Sequence, residues 1–269
     1  FISVYLITMK AKILQSEFFP KTPLWSFPFI GIPVFCFVAN KGITNIARLS
    51  ELIGIVFFGV SIFVHTLMFA QGKLSRIEPF FNPAEIKNYA AGIKQAVVPF
   101  LGIEVLLAVP LTKKNKKVKR RAFFTLLFIG VLYVFVVETC VMKVGFNDIV
   151  NYGDPLIVAI RDTAPEFMSI FTRLDMLYLT VGFSALFLGI SVVFAVITEY
   201  LCRIFKNIKR PVIVSALGVL TYILFCIVKD FPHYHVFVEE TATYLGIVAA
   251  FVIPGVLLAI AKIRKIRVK

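Results

Sequence analysis

GIKQAVVPFLGIEVLLAVPL, residues 92–111, is a twenty-residue, mostly apolar stretch interrupted by Pro99-Phe100-Leu101-Gly102-Ile103-Glu104. At a helical rise of about 1.5 Å per residue, twenty residues cross the ~30 Å hydrocarbon core of a bilayer. Pro99 removes a backbone donor and crowds the preceding turn, and Gly102 weakens the helix again three residues later. In hydrocarbon, broken backbone is tolerated only where neighbouring protein or a water-filled cavity satisfies it. Secondary transporters use such discontinuous helices to build small-molecule sites near the bilayer midplane. The stretch therefore predicts a membrane-embedded helical protein with a ligand site at the break.

The flanking sequence has the same character. Of 269 residues, 59% are hydrophobic and 16% charged, with a mean hydropathy of +0.89. A soluble domain would be about a quarter charged, so a polytopic membrane protein is expected. Spans are predicted at Pro23–Asn40, Leu52–Gln71, Gly92–Leu111, Ala122–Met142, Met176–Leu201, Pro211–Val228 and Ala242–Ala261. The apolar opening Phe1–Met9 is too short to span alone and lacks the charged lead-in of a signal peptide. The chain reads as a fragment that starts inside an earlier helix.

Charge sets the orientation. Segments 41–51, 112–121, 202–210 and 262–269 hold 18 Lys/Arg and a single acidic residue, Glu51. The alternate loops and the N-terminal connector hold 10 Lys/Arg against 11 acidic residues, an eleventh cation, Lys94, lying just inside the Gly92–Leu111 span. The positive-inside rule places the first set in the cytoplasm. Its block Lys113–Arg121 lies between two spans, so anionic headgroups rather than nucleic acid are its expected partner. The +14 net charge is mostly this topology signal. With an even number of spans upstream, two being the simplest choice, the parent protein would have ten.

The lesser features suggest packing roles. Cys36, Cys140 and Cys226 fall within spans and Cys202 at a cytoplasmic end, so no disulfide framework is implied. Pro23, Pro28 and Pro33 predict a kinked or partly irregular helix. Residues 42–51 suit a short interfacial helix with an Arg48–Glu51 ion pair one turn apart. Gly54, Gly59 and Ser61 allow close helix approach, and His65 reads as a hydrogen-bonded packing residue. In the long outer loop Lys143–Arg173, Leu156, Ile157, Ile160 and Phe167 suit one face of a helix lying on the outer leaflet, with a plain amphipathic connector as the alternative. His233 and His235, with Glu239 and Glu240 nearby, lack the third His or Cys of a zinc site. There is no phosphate-cradling glycine loop and no nucleophile elbow, so neither an enzyme nor a cofactor is expected.

Glu104 and Glu138 are the carboxylates well inside spans. An ionised side chain at a helix centre costs about 2.5–3.5 kcal/mol on insertion scales, so each must pair, meet water or be protonated. Glu104 sits beside the break, where a ligand could reach it, whereas Glu138 lies near the outer end of its helix and could meet the interface. At the break, the carbonyls ending the first half-helix can accept from an ammonium group. The N–H groups opening the second half can meet a carboxylate, so a zwitterionic amino acid suits both. A plain proline kink is the alternative. The Met176–Leu201 span carries Thr180, Gly182, Ser184, Gly189 and Ser191, a thin, polar-flecked helix suited either to lining a narrow path or to packing. Arg173-Leu174-Asp175 opens it at the outer mouth, as a lock or a gate.

In order and spacing these features resemble the spore germination permease family, the B subunit of nutrient germinant receptors. That family is a branch of the amino acid–polyamine–organocation transporter superfamily. The residues that carry the resemblance are Thr22-Pro23, Gly42 with Ala47-Arg48 and Glu51, Pro99-Phe100 with Gly102 and Glu104, and Arg173-Leu174-Asp175. The resemblance implies an all-α bundle, a piece of a ten-helix inverted-repeat transporter fold lacking its first two helices. Residues 1–269 would then be one transmembrane domain. Residues 1–91 would hold helices 3–5, the remainder of the first repeat. Residues 92–269 would hold helices 6–10 of the second, with a cytoplasmic tail.

The resemblance further implies a nutrient-binding subunit in the spore inner membrane or a bacterial plasma membrane, partnered by the receptor's A and C subunits. Its ligand would be a small nutrient such as an amino acid, held by Pro99, Phe100, Gly102 and Glu104 with Gly182 and Ser184. Glu138, Arg173 and Asp175 would gate or couple. A proton-coupled amino acid transporter of the same superfamily is the alternative, and a purely structural membrane scaffold a third.

Overall fold

The computed structural model describes residues 2–78, 83–89, 92, 116–149, 151–163, 173–230, 241, 244–248 and 252–263. The described residues are helical, with turns and short 3-10 segments between helices, and contain no strand. The helices are α1 (Ile2–Glu17), α2 (Ser26–Asn40), α3 (Ile43–Gln71), α4 (Lys116–Val144), α5 (Phe146–Ile149), α6 (Pro155–Arg161), α7 (Leu174–Ile204), α8 (Arg210–Val228) and α9 (Ile253–Ile263). Among the described residues, four stretches are long and apolar enough to cross a membrane: Ile43–Gln71, Arg120–Val144, Leu174–Ile204 and Arg210–Val228. They match four of the predicted spans. Helix α2, at 15 residues, is shorter than predicted because residues 18–25 form turns. The predicted Gly92–Leu111 span lies outside the described residues except for Gly92, and Ala242–Ala261 is described only in part.

Apolar residues clothe these helices. Along α4, Phe123, Leu127, Val131 and Val134 form one exposed stripe, which water would disfavour and acyl chains accept. Such helices gain little hydrophobic energy from meeting one another, so close packing and buried polar contacts hold them together.

Two compact units are present. The first contains α1, α2, α8 and the end of α7. Val4, Ile7, Thr8 and Ala11 are buried along one stripe of α1, at the three- and four-residue spacing of a packed face. Helices α2 and α8 run antiparallel, with Phe29 against Tyr222, Cys36 against Val214 and Ala39 against Arg210. Gln15 Nε2 donates to Thr22 O (2.9 Å) and ties down the turn between α1 and α2. Irregularity around the prolines is confined to that turn, and α2 stays helical through Pro28 and Pro33.

The second unit contains α3 to α6 and the start of α7. Gly42, at φ +88°, reverses the chain after α2, in a conformation that costs other residues energy. Helix α3 then runs unbroken from Ile43, so residues 43–51 are its first turns and not a separate interfacial helix. The expected Arg48–Glu51 pair is not among the ion pairs of the described residues. Helices α3 and α4 run parallel: Phe58 meets Phe128, His65 meets Thr139, and Lys73 N donates to Met142 O. Parallel neighbours in a membrane need a return crossing between them, and residues 92–111 are the apolar stretch of the intervening sequence.

Helix α6 begins at Asp154-Pro155, an N-cap followed by proline, with Asp154 Oδ1 accepting from Ile157 N at 3.2 Å. Ile157, Ala159 and Ile160 are fully buried. Ala159 and Ile160 join Val64, Met68, Cys140 and Leu174 in one apolar cluster. Over residues 155–161 the expected surface helix is therefore a packed element, because its apolar face found protein rather than lipid; Phe167 lies outside the described residues.

Close approaches occur at Gly72 and Gly218. A Cβ on Gly72 would lie 2.7 Å from Met142 Cβ, and one on Gly218 would lie 2.6 Å from Cys36 Sγ. Gly54 has nothing within 4 Å among the described residues. Gly72→Ala and Gly218→Ala should each cost about 1–3 kcal/mol through overpacking. Gly54→Ala should stabilise by up to ~1 kcal/mol through helix propensity. Melting temperatures of the detergent-purified variants, read with a thiol-reactive dye, test this; equal shifts at the three sites would refute it.

Candidate functional site

The ends of α3, α4, α6 and α7 that charge places outside the membrane converge on a polar junction in the second unit. Lys143, near the end of α4, donates from Nζ to Gln71 Oε1 and to Asp162 O, both at 3.2 Å, and pairs with the Asp162 carboxylate at 3.3 Å. Gln71 Nε2 donates to Thr163 O at 3.2 Å. Arg76 donates to Met142 O (3.2 Å) and to Lys143 O. It thereby satisfies carbonyls that the end of α4 leaves without helical partners and sets positive charge against the negative end of the helix dipole. Gly145, at φ +97°, closes the same helix.

Asp175 anchors the other half of the junction. Its side chain is 2% exposed; Oδ2 accepts from Arg161 Nε at 3.3 Å and Oδ1 from Arg173 Nε at 3.5 Å. Both carboxylate oxygens are engaged, and the charge lies in the first turn of α7, where the helix dipole favours it. The arrangement is a latch that joins the end of α6 to the start of α7. Arg161, missed in the sequence, supplies half of it. The Asp154-Pro155 start could have pointed there, since it places Arg161 at the last turn of a short helix.

Deeper in the same unit, His65 is 0% exposed. Thr139 Oγ1 spends its proton on the Phe135 and Val136 carbonyls, at 2.8 and 3.0 Å. With that proton on the carbonyls, the 2.9 Å contact between His65 Nδ1 and Thr139 Oγ1 is a donation by the imidazole; in either tautomer Nε2 is buried with no partner. Phe135 and Tyr178 meet the ring edge-on, at 6.2 and 5.7 Å between centroids. The expectation of a hydrogen-bonded packing histidine holds. Its partner Thr139 carried no signal in the sequence, being 74 positions away.

The structure brings only some of the candidate residues together. Pro99, Phe100, Gly102 and Glu104 lie outside the described residues, as do His233 and His235. Glu138, beside Thr139 on α4, is half-buried and has no hydrogen bond or ion pair with the described residues. Arg173 and Asp175 meet, as a latch. Gly182 and Ser184 lie on α7, where Ser184 Oγ donates to Thr180 O at 2.9 Å. Thr180, Ser191 and Thr198 also donate to carbonyls four residues back. These hydroxyls keep only acceptor capacity for anything outside the helix.

Long lipid-compatible helices, with Lys and Arg concentrated at one set of their ends, define a multi-pass integral membrane protein. The chain belongs to the spore germination protein family, the spore permeases, whose family model matches residues 1–233. No curated protein and no solved structure matches it.

Proposed function

We propose that the protein is the permease-like subunit of a nutrient germinant receptor. It binds a small nutrient, in the first instance an amino acid, at Pro99–Glu104 and passes that event to the receptor's A and C subunits in the spore inner membrane. The observation that carries this reading is a proline–glycine break with a carboxylate inside a span-length stretch, in a chain of the spore germination family. Parallel α3 and α4 support it, since they require a crossing between them. On the same reading residues 1–91 and 92–269 are parts of two repeats, Gly182 and Ser184 adjoin the site, and Glu138, Arg173 and Asp175 couple or gate it. A ligand shifts such a protein only by binding one arrangement better than the other.

The test is germination of spores carrying the full-length protein with Glu104→Gln, scored against a panel of amino acids and sugars with receptor abundance checked. A lost or shifted response at normal abundance is expected; an unchanged response removes Glu104 from the site. Saturable uptake that a protonophore abolishes would instead favour the proton-coupled transporter. If Glu104→Gln and Gly102→Leu change neither germination nor uptake, the scaffold reading stands.

A further inference from the structure

The first unit carries a groove of about 410 Å³ between α2 and α8, within the roughly 300–1,000 Å³ range of small-ligand sites. Ile32, Val214 and Gly218 form its buried floor, while Pro33 and Phe37 on one side and Ser215 and Val219 on the other form exposed walls. Cys36 and Gly218 bring the helices into contact at the floor, so the space is closed beneath and open at the surface. The lining is almost wholly apolar, with Asn40 and Pro211 at one end.

That end is basic and cytoplasmic. Lys209, exposed, precedes Pro211 by two residues at the start of α8, whose N-terminus no side chain caps. Lys206 is exposed one turn earlier. Arg210 is fixed between Ala39 O (3.2 Å) and Glu199 (3.3 Å), and its buried Nε has no partner. Glu199, the acidic residue in these contacts, also pairs with Arg203, so positive charge remains in excess. From Pro33 to Asn40 the groove runs about 10 Å along the membrane normal at the helical rise, within the ~15 Å depth of one leaflet.

We propose that this groove is a lipid site: it holds an acyl chain of an anionic phospholipid of the cytoplasmic leaflet, with the headgroup against Lys206, Lys209 and the start of α8. Basic pockets between transmembrane helices on the cytoplasmic side recognise such headgroups. A second helix, about 10–12 Å across with its side chains, would rest on the walls, whereas an acyl chain fills the groove and its headgroup meets the charge.

The probe is phosphatidylglycerol against phosphatidylcholine of identical chains, added to the detergent-purified full chain and counted by native mass spectrometry. Phosphatidylglycerol should be retained preferentially. Lys206→Gln with Lys209→Gln, both exposed and without structural partners to lose, should reduce its retention about fivefold per charge and leave phosphatidylcholine unchanged. Lys10→Gln with Lys12→Gln, on the opposite membrane side, should change neither. Ser215→Trp, which fills the groove, should reduce retention of both lipids. Equal retention of the two lipids, or an unchanged preference in the Lys206/Lys209 variant, would overturn the proposal. So would a lipid-free dimer that Ser215→Trp dissolves, since that would place a second copy of the chain in the groove.

Discussion

Removing both Arg161 and Arg173 as methionines is expected to destabilise the protein more than removing the carboxylate they share. Asp175 is 2% exposed, whereas the arginine side chains are 48% and 63% exposed. In Asp175→Asn the arginines turn to water, and the cost is limited to charge-assisted hydrogen bonds, about 1.5–3 kcal/mol. The double arginine variant leaves a buried charge uncompensated, which costs about 3–5 kcal/mol. The triple variant, with Asp175→Asn added, should recover much of that loss. The measurement is the melting temperature of purified protein, where ~1 kcal/mol corresponds to roughly 2–4 °C. A double variant as stable as Asp175→Asn would show that the latch does not hold α6 to α7. Germination by spores carrying Asp175→Asn at normal abundance would then separate its structural role from gating.

The second large effect is expected at His65. Its side chain has no exposed surface and packs against Phe135 and Tyr178. His65→Ala opens a cavity, for which buried large-to-small substitutions cost about 2–5 kcal/mol. The value should fall toward the lower end, because part of the usual transfer gain is absent between lipid-facing helices. His65→Leu keeps most of the volume and removes the unpartnered Nε2, so it should cost less than ~1.5 kcal/mol. Thr139→Val should exceed it, since it takes the acceptor from a retained imidazole and leaves both ring nitrogens unsatisfied, at about 1–3 kcal/mol. Cys140 is buried beside this site, so its labelling rate on heating reports local opening. If His65→Leu proves as damaging as His65→Ala, the imidazole has a role other than filling space.

Much of the fold was legible because its signals are local. Apolar runs located four long helices to within a few residues, except that Ile43–Gln71 absorbed the connector expected before it. Nothing between Ile43 and Leu52 stops a helix, and the glycine that could do so, Gly42, lies just before it. The outer loop was half legible. Asp154-Pro155 and the spacing of Leu156, Ile157 and Ile160 mark a helix, but hydropathy alone cannot tell a lipid surface from a protein core. Cys140, Val64 and Met68 decided that question for Ala159 and Ile160. At the candidate site, Arg173 and Asp175 were visible as neighbours, but Arg161, 14 positions away, was not.

By itself the sequence determined the membrane class and the family and set the expected cytoplasmic side, since hydropathy, motif order and lysine–arginine bias act segment by segment and need no partner. Tertiary structure decided which side chains meet. The Asp175 latch, the Thr139–His65 contact and the groove between α2 and α8 depend on how each helix is rotated and offset against its neighbours. That rotation is set by a few close approaches, at Gly72 and Gly218 above all. Small residues let backbones approach there, and no local pattern announces which glycines will be used.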